Sequence, residues 1–144
     1  MGKFEELRKK YDDDRTTYDA IDKEYNAIMY KRISADIAAQ FSLRDIVTAI
    51  LEEVTVGEVD LYKGVAVKYF GIDGVFIFDK ATVDSVRVGF YELTKSGKVS
   101  AKEKTYFTFY FDRKTGDINF DGEIIGTPEK VVEYLKNNST ITFK

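Results

Sequence analysis

The chain has 144 residues, enough for one domain with its own hydrophobic core. Hydrophobic residues make up 44% of the sequence and charged residues 33%, a balance that indicates neither an intrinsically disordered chain nor a membrane protein. The formal net charge is −3, so the chain lacks the basic excess that is typical of proteins that bind duplex DNA. We expect a single domain over residues 1–144, with nucleic acid disfavoured as a partner.

Cysteine and histidine are both absent from the sequence. Their absence excludes disulfides, thiolate metal sites, the commonest general base near neutral pH and the commonest metal ligand. Neither a Ser-His-Asp site nor a Cys-His site can be built from this chain alone. We therefore expect a protein that is not an enzyme and that has no metal and no cofactor.

The first residues, MGKFEELRKKYDDD, are charged and contain no apolar segment of the kind that a secretory signal carries. No apolar run approaches the ~20 residues that span a bilayer. We expect a cytoplasmic location and no membrane partner.

The region between Gly2 and Gly57 contains no glycine and no proline, which predicts a long helix over about residues 1–41. Apolar side chains recur along it at spacings of three and four, the heptad pattern of helices that pack on one another. We name this stripe the seam, and Asp14 is its polar interruption. The seam, which we predict to be an oligomer interface, consists of Phe4, Leu7, Tyr11, Tyr18, Ile21, Tyr25 and Ile28.

Two arrangements of this helix are consistent with the sequence. An unbroken helix over residues 3–40 would be about 57 Å long, whereas a compact domain of this size is roughly 35–40 Å across. Such a helix would extend beyond the domain as an arm, and a second copy of the chain could cover its seam. Alternatively, the helix breaks near Asp14 or Ser34 and packs on the rest of the domain.

A second helix is predicted over residues 42–53. Ser42 and Asp45 resemble an N-terminal capping box. Apolar residues then follow at helical spacing, namely Ile46, Val47, Ile50 and Leu51.

From residue 54 the apolar pattern alternates with period two, which predicts strands. The predicted strands are 54–61, 64–72, 75–79, 83–93, 105–111, 117–125 and 139–143, with a short helix at about 128–137. Short connections predict an antiparallel sheet of six to seven strands. The predicted fold is α+β, with a long N-terminal helix, a second helix, this sheet and one short helix near the C-terminus.

One face of the sheet is predicted to carry a weak contact site for a partner or ligand, formed by Arg87, Tyr91, Tyr106 and Tyr110. Aromatic rings and arginine on a sheet also occur in proteins that stack single-stranded nucleic acid. Because the N-terminal helices must pack on one face of the sheet, we favour cover of these tyrosines by a helix. A protein-binding face and a nucleic-acid face are the alternatives.

Two acidic segments are further candidate sites. Asp12, Asp13 and Asp14 point in different directions on a helix, so we expect a solvated face, with contact to a basic partner or a divalent ion as the alternative. Residues 117–128 resemble a calcium loop, but Pro128 stands where a glutamate should close it. An ordinary hairpin is therefore expected there.

Together these features predict a non-catalytic binding protein that self-associates and acts as an inhibitor or adaptor by contacting another macromolecule, which we expect to be a protein. Compact domains of this kind are frequent among phage and mobile-element accessory proteins. The alternative is a protein that binds a nucleotide or metabolite between the sheet and a helix or between subunits. Arg87, Lys68 and the tyrosines would then supply charge and stacking.

Overall fold

The computed structural model describes residues 2–56 and 58–143. Its elements are α1 (Lys3–Val54), β1 (Val65–Tyr69), β2 (Ile72–Ala81), β3 (Ser85–Glu92), β4 (Thr105–Phe111), β5 (Ile118–Phe120), β6 (Glu123–Gly126), α2 (Pro128–Lys136) and β7 (Ile141–Phe143). The seven strands form one sheet in the order β6-β5-β4-β3-β2-β1-β7, and every neighbouring pair is antiparallel. The predicted α+β class is therefore confirmed. The chain divides into two compact units, Met1–Ile37 and Ala38–Lys144.

The first unit consists of the N-terminal part of α1, and it includes a run of weak helix formers over residues 12–17. The hydroxyls of Thr16 and Thr17 donate to the backbone carbonyls of Asp12 and Asp13, at 2.9 and 3.2 Å. These bonds give the threonine hydroxyls a partner while the backbone of both residues stays helical. Helix α1 is unbroken through this segment, and the alternative with a break near Asp14 or Ser34 is wrong.

The separate second helix predicted over residues 42–53 is also wrong, although these residues are helical. They form the last part of α1, which runs through Ser42 without interruption. A capping serine needs a non-helical backbone, and no glycine or proline is present to interrupt the helix there. The end of α1 lies instead at Val54, where both the backbone N and the Oγ1 of Thr55 donate to the carbonyl of Leu51, at 3.1 and 2.8 Å.

The predicted strand over residues 54–61 is wrong as well, because Val54 ends α1 and the other described residues form bends, irregular backbone and the start of a turn. The Oδ1 atom of Asp60 accepts hydrogen bonds from the backbone N atoms of Tyr62 and Lys63, at 2.9 and 3.3 Å, and so stabilises a turn. Leu61 is buried, and its carbonyl accepts a hydrogen bond of 2.8 Å from the backbone N of Phe78. This connection is therefore anchored to β2 as an irregular loop.

The remaining strands lie close to their predicted positions. Strands β1 and β2 are joined by a two-residue turn at Phe70 and Gly71, whose φ angles of 48° and 77° are those of a tight hairpin turn. The predicted strand 117–125 is divided into β5 and β6, because a turn at Asp121 and Gly122 interrupts it. The predicted helix at about 128–137 is α2, with Pro128 in its first turn.

The hydrophobic core lies on one face of the sheet. Buried side chains of β2, β3 and β4, among them Phe76, Phe90 and Phe109, form one cluster with buried side chains of the C-terminal part of α1 and of α2. Helix α2 also contacts β6 and β7, the two edge strands. On α1, the buried residues are Leu43, Val47, Ile50 and Leu51.

Candidate self-association surface

The seam lies along the first unit, and all seven of its side chains are exposed. Their exposed fractions range from 53% for Leu7 to 87% for Phe4. Together they form an apolar stripe along the helix that is interrupted at Asp14, unlike the singly scattered apolar residues of a typical monomeric surface.

The first unit also has no buried core of its own. Among its described residues, 2–37, none is buried, and Met29 alone is of intermediate exposure. Helices in proteins gain most of their stability from packing of an apolar face rather than from intrinsic propensity. The seam is therefore a surface whose burial would stabilise α1.

Charged groups beside the seam are held in place by contacts within the helix. The guanidinium of Arg15 forms an ion pair of 3.1 Å with Asp19 and lies 5.4 Å from the ring centre of Tyr18. The hydrogen bond to Asp19, with a smaller contribution from Tyr11, raises the pKa of Arg15 above its ordinary value. Arg15 thus covers one side of a seam tyrosine while its charge is balanced within the same chain.

The acidic cluster Asp12, Asp13 and Asp14 lies on this unit and is exposed. Asp14 shares the heptad position of the aliphatic seam residues, whereas the other two carboxylates lie elsewhere around the helix. Within residues 2–56 and 58–143, no group of three or more acidic side chains could hold a metal ion.

No family model, curated protein or solved structure matches the chain. None of the helices in the described residues has the length and apolar character that crossing a bilayer requires. The site must therefore be interpreted from its own geometry.

The predicted sheet-face site lies in the second unit, and it is open to solvent. Tyr106 is 50% exposed and Tyr110 47%. The favoured prediction, that helices cover these tyrosines, is wrong, because α1 and α2 pack on the opposite face, which carries Phe107 and Phe109. The sheet-face tyrosines are thus available for contact.

The structure brings Arg87, Tyr91 and Tyr106 together on this face. The Arg87 guanidinium lies 3.7 Å from the ring centre of Tyr106. The ring of Tyr91 and the carboxylate of Glu103 both lie close to Gly89, whose missing side chain leaves room for them. The face is therefore a compact polar and aromatic cluster.

Sequence reasoning missed the two acidic partners of Arg87. Its Nε lies 3.0 Å from Oδ2 of Asp79, an ion pair without hydrogen-bond geometry, and its Nη2 donates to Oε1 of Glu103 at 3.4 Å. Asp79 falls at a register shift between Phe78 and Lys80, so the strict alternation of strand residues did not place it opposite Arg87. With both carboxylates in place, the charge of Arg87 is already balanced, which weakens it as an anchor for an anionic ligand.

A shallow groove of about 550 Å³ lies between the last turns of α1 and the start of α2. Its lining residues are Ile46, Ala49, Ile50, Glu53, Pro128, Glu129 and Val132. Arg87, Lys68 and the tyrosines, which were predicted to hold a small ligand, do not line it.

Proposed function

We propose that this protein is a non-catalytic binding protein that self-associates through the seam of α1 and contacts a macromolecular partner as an inhibitor or adaptor. The observation that carries the proposal is the exposure of all seven seam side chains on one stripe of an unbroken helix. A second copy offers the same stripe, so one surface covers the other without any further partner.

The open sheet face supports the second part of the proposal. Tyrosine and arginine are enriched where proteins bind one another, because they combine a large apolar area with a polar end. Tyr106, Tyr110 and Tyr91 lie on a rigid antiparallel scaffold, so a partner would meet them with little loss of side-chain entropy.

Self-association is tested by light scattering at micromolar concentration. The wild-type chain should give a mass of about twice 16.5 kDa. A variant with Ile21→Asp and Ile28→Asp places two carboxylates in the seam, and it should give the monomer mass because burying an unpaired charge is costly.

The matched control is Tyr30→Asp. Tyr30 is exposed and apolar in character but lies off the seam, so its replacement should leave the mass unchanged. Circular dichroism of each variant should show that the sheet remains folded. A wild-type chain that is monomeric up to 100 μM would contradict the proposal.

The groove beside Ile46 and Val132 supports a second candidate, the binding of a small ligand. Its wall is largely apolar with carboxylates at the rim, which suits an apolar ligand with a basic group. Native mass spectrometry of the protein purified from its source cells would detect such a ligand and the oligomer together. A mass equal to that of the bare chain or its multiples would argue against this candidate.

A further inference from the structure

We propose that the two copies of α1 pair antiparallel, with Phe4 of each copy opposite Ile28 of the other. This inference rests on the proposed self-association and specifies its geometry. It is drawn from the side chains of the seam and from the charged residues that flank it.

The seam itself has two kinds of position. Phe4, Tyr11, Tyr18 and Tyr25 form an aromatic set at heptad spacing, and Leu7, Asp14, Ile21 and Ile28 form the second set. In a parallel pair each residue would meet its own copy, so rings would face rings in every layer of the aromatic set. Alternating large and small side chains across an interface pack better than layers of equal size.

An antiparallel pair alternates these sizes. Phe4 meets Ile28 of the second copy, Tyr11 meets Ile21, and Tyr25 meets Leu7. Each of these layers combines one ring with one aliphatic side chain, and each occurs twice by symmetry.

Asp14 gives an independent argument for the same orientation. A parallel pair would place the carboxylates of Asp14 and its copy side by side in the interface, where like charges repel. An antiparallel pair places Asp14 opposite Tyr18 of the second copy. The tyrosine hydroxyl can donate a hydrogen bond to the carboxylate, so the polar interruption of the seam acquires a partner.

The flanking charges are distributed unevenly along the helix. Two kinds of residue flank the seam. One stands immediately before each member of the aromatic set, and the other stands immediately after each member of the second set. In the first half of the seam these residues are all basic, namely Lys3, Arg8, Lys10 and Arg15. In its second half they are Thr17, Asp22, Glu24 and Met29, acidic or neutral.

A parallel pair would set Lys10 against Arg15 of the second copy, and Lys3 against Arg8. Every charged pair of that arrangement is repulsive, because the acidic flanking residues Asp22 and Glu24 meet only Thr17 and Met29.

An antiparallel pair sets Arg8 against Asp22 of the second copy and Lys10 against Glu24. None of these four residues forms an ion pair within the chain in the part that the structure describes. Arg15 meets its own copy at the symmetry axis, where Asp19 already balances its charge. Beyond the seam, Lys3 meets Lys31 at the exposed ends, where solvent screens the repulsion.

Cysteine cross-linking tests the orientation, and the absence of native cysteine makes it direct. A chain with Leu7→Cys mixed with a chain carrying Tyr25→Cys should form a disulfide-linked dimer on mild oxidation. Leu7→Cys alone should remain unlinked, because the two cysteines would lie at opposite ends of the paired helices. Lys9→Cys mixed with Lys23→Cys is the matched control at outward positions, and it should not cross-link.

Charge reversal provides a second measurement. Lys10→Glu should weaken the dimer roughly tenfold at low salt, since it replaces two attractive pairs by two repulsive ones. The double variant Lys10→Glu, Glu24→Lys should restore wild-type affinity. In a parallel dimer, Lys10→Glu would instead meet Arg15 and tighten the association.

The outcomes separate this inference from the proposal on which it rests. Cross-linking between positions 7 and 25 with rescue by the double charge reversal supports antiparallel pairing. Self-cross-linking of Leu7→Cys, with tighter association of Lys10→Glu, overturns the orientation while self-association stands. A wild-type chain that is monomeric throughout overturns both.

Discussion

Strand β4 shows at the level of single residues how the sequence separates the two faces of the sheet. Phe107 and Phe109 are buried at 4% and 1% exposure, whereas their neighbours Tyr106 and Tyr110 are about half exposed. The phenylalanines have no polar group to satisfy, and the tyrosines keep their hydroxyls near water. On this strand, phenylalanine therefore occupies the buried face and tyrosine the exposed face.

We predict that alanine substitutions on this strand differ by face. Tyr106→Ala and Tyr110→Ala should each lower the free energy of unfolding by about 1 kcal/mol or less, most of it for Tyr106 from the lost contact with Arg87. Phe107→Ala and Phe109→Ala, the matched controls, should each cost ~3–5 kcal/mol. Urea unfolding followed by circular dichroism measures all four. Equal losses on both faces would show that the tyrosine face is covered.

Among the elements, the β5–β6 hairpin shows why a sequence can resemble a metal loop without forming one. Asn119 and Asp121 would be ligands of a calcium loop. Here Asn119 Oδ1 instead accepts a hydrogen bond of 2.8 Å from the backbone N of Gly122, and so stabilises the turn. The flanking Ile118 and Phe120 are buried on the core face.

Adding or removing metal ions should therefore leave the thermal stability of the protein unchanged. Thermal unfolding in excess EDTA and in 5 mM calcium should give the same midpoint, because a ligand raises stability only when it binds the folded state. Asp121→Asn serves as the control and should behave as the wild type in both buffers. A calcium-dependent rise of several degrees would identify a site in residues 117–128.

The sequence predicted the elements best where the apolar period was unbroken. Strand β4 and helix α2 lie within a residue of their predicted bounds, and Val86, Val88 and Phe90, which alternate along β3, are all buried. The errors occur where a local signal competed with a neighbouring element. Ser42 has the sequence pattern of a helix start but lies inside a longer helix. Residues 54–61 alternate like a strand, but the turn stabilised by Asp60 makes this segment a loop.

The candidate surfaces were predictable to different degrees. Heptad spacing located the seam, because helical geometry fixes which side chains share a stripe. The partners of Arg87 were not predictable, since Asp79 and Glu103 reach it through a register shift and a loop.

At the scale of the whole molecule, the buried apolar side chains lie in the second unit. The first of them along the chain is Leu43, and the core extends from there to Ile141. The first unit contributes exposed seam residues and no buried ones within its described part. The buried core and the surface proposed for self-association thus lie in different segments of the chain.

Removal of residues 1–37 should therefore separate the two properties. We predict that the remaining chain is monomeric by light scattering and unfolds within a few degrees of the full-length protein. The helical signal in circular dichroism should fall, because most of α1 is lost. Should the shortened chain fail to fold, the second unit would depend on the first for its stability.

The order of strands in the sheet also bears on how the protein folds. Strands β1 to β6 pair with their neighbours along the chain, so each of these pairs requires closure only of the connection between two consecutive strands. The pairing of β1 with β7 is different, because Tyr69 and Ile141 are separated along the chain by five other strands and α2. We infer that this pairing forms last, once α2 has docked. Synthesis of the chain on the ribosome favours the same order, since the first six strands emerge before β7.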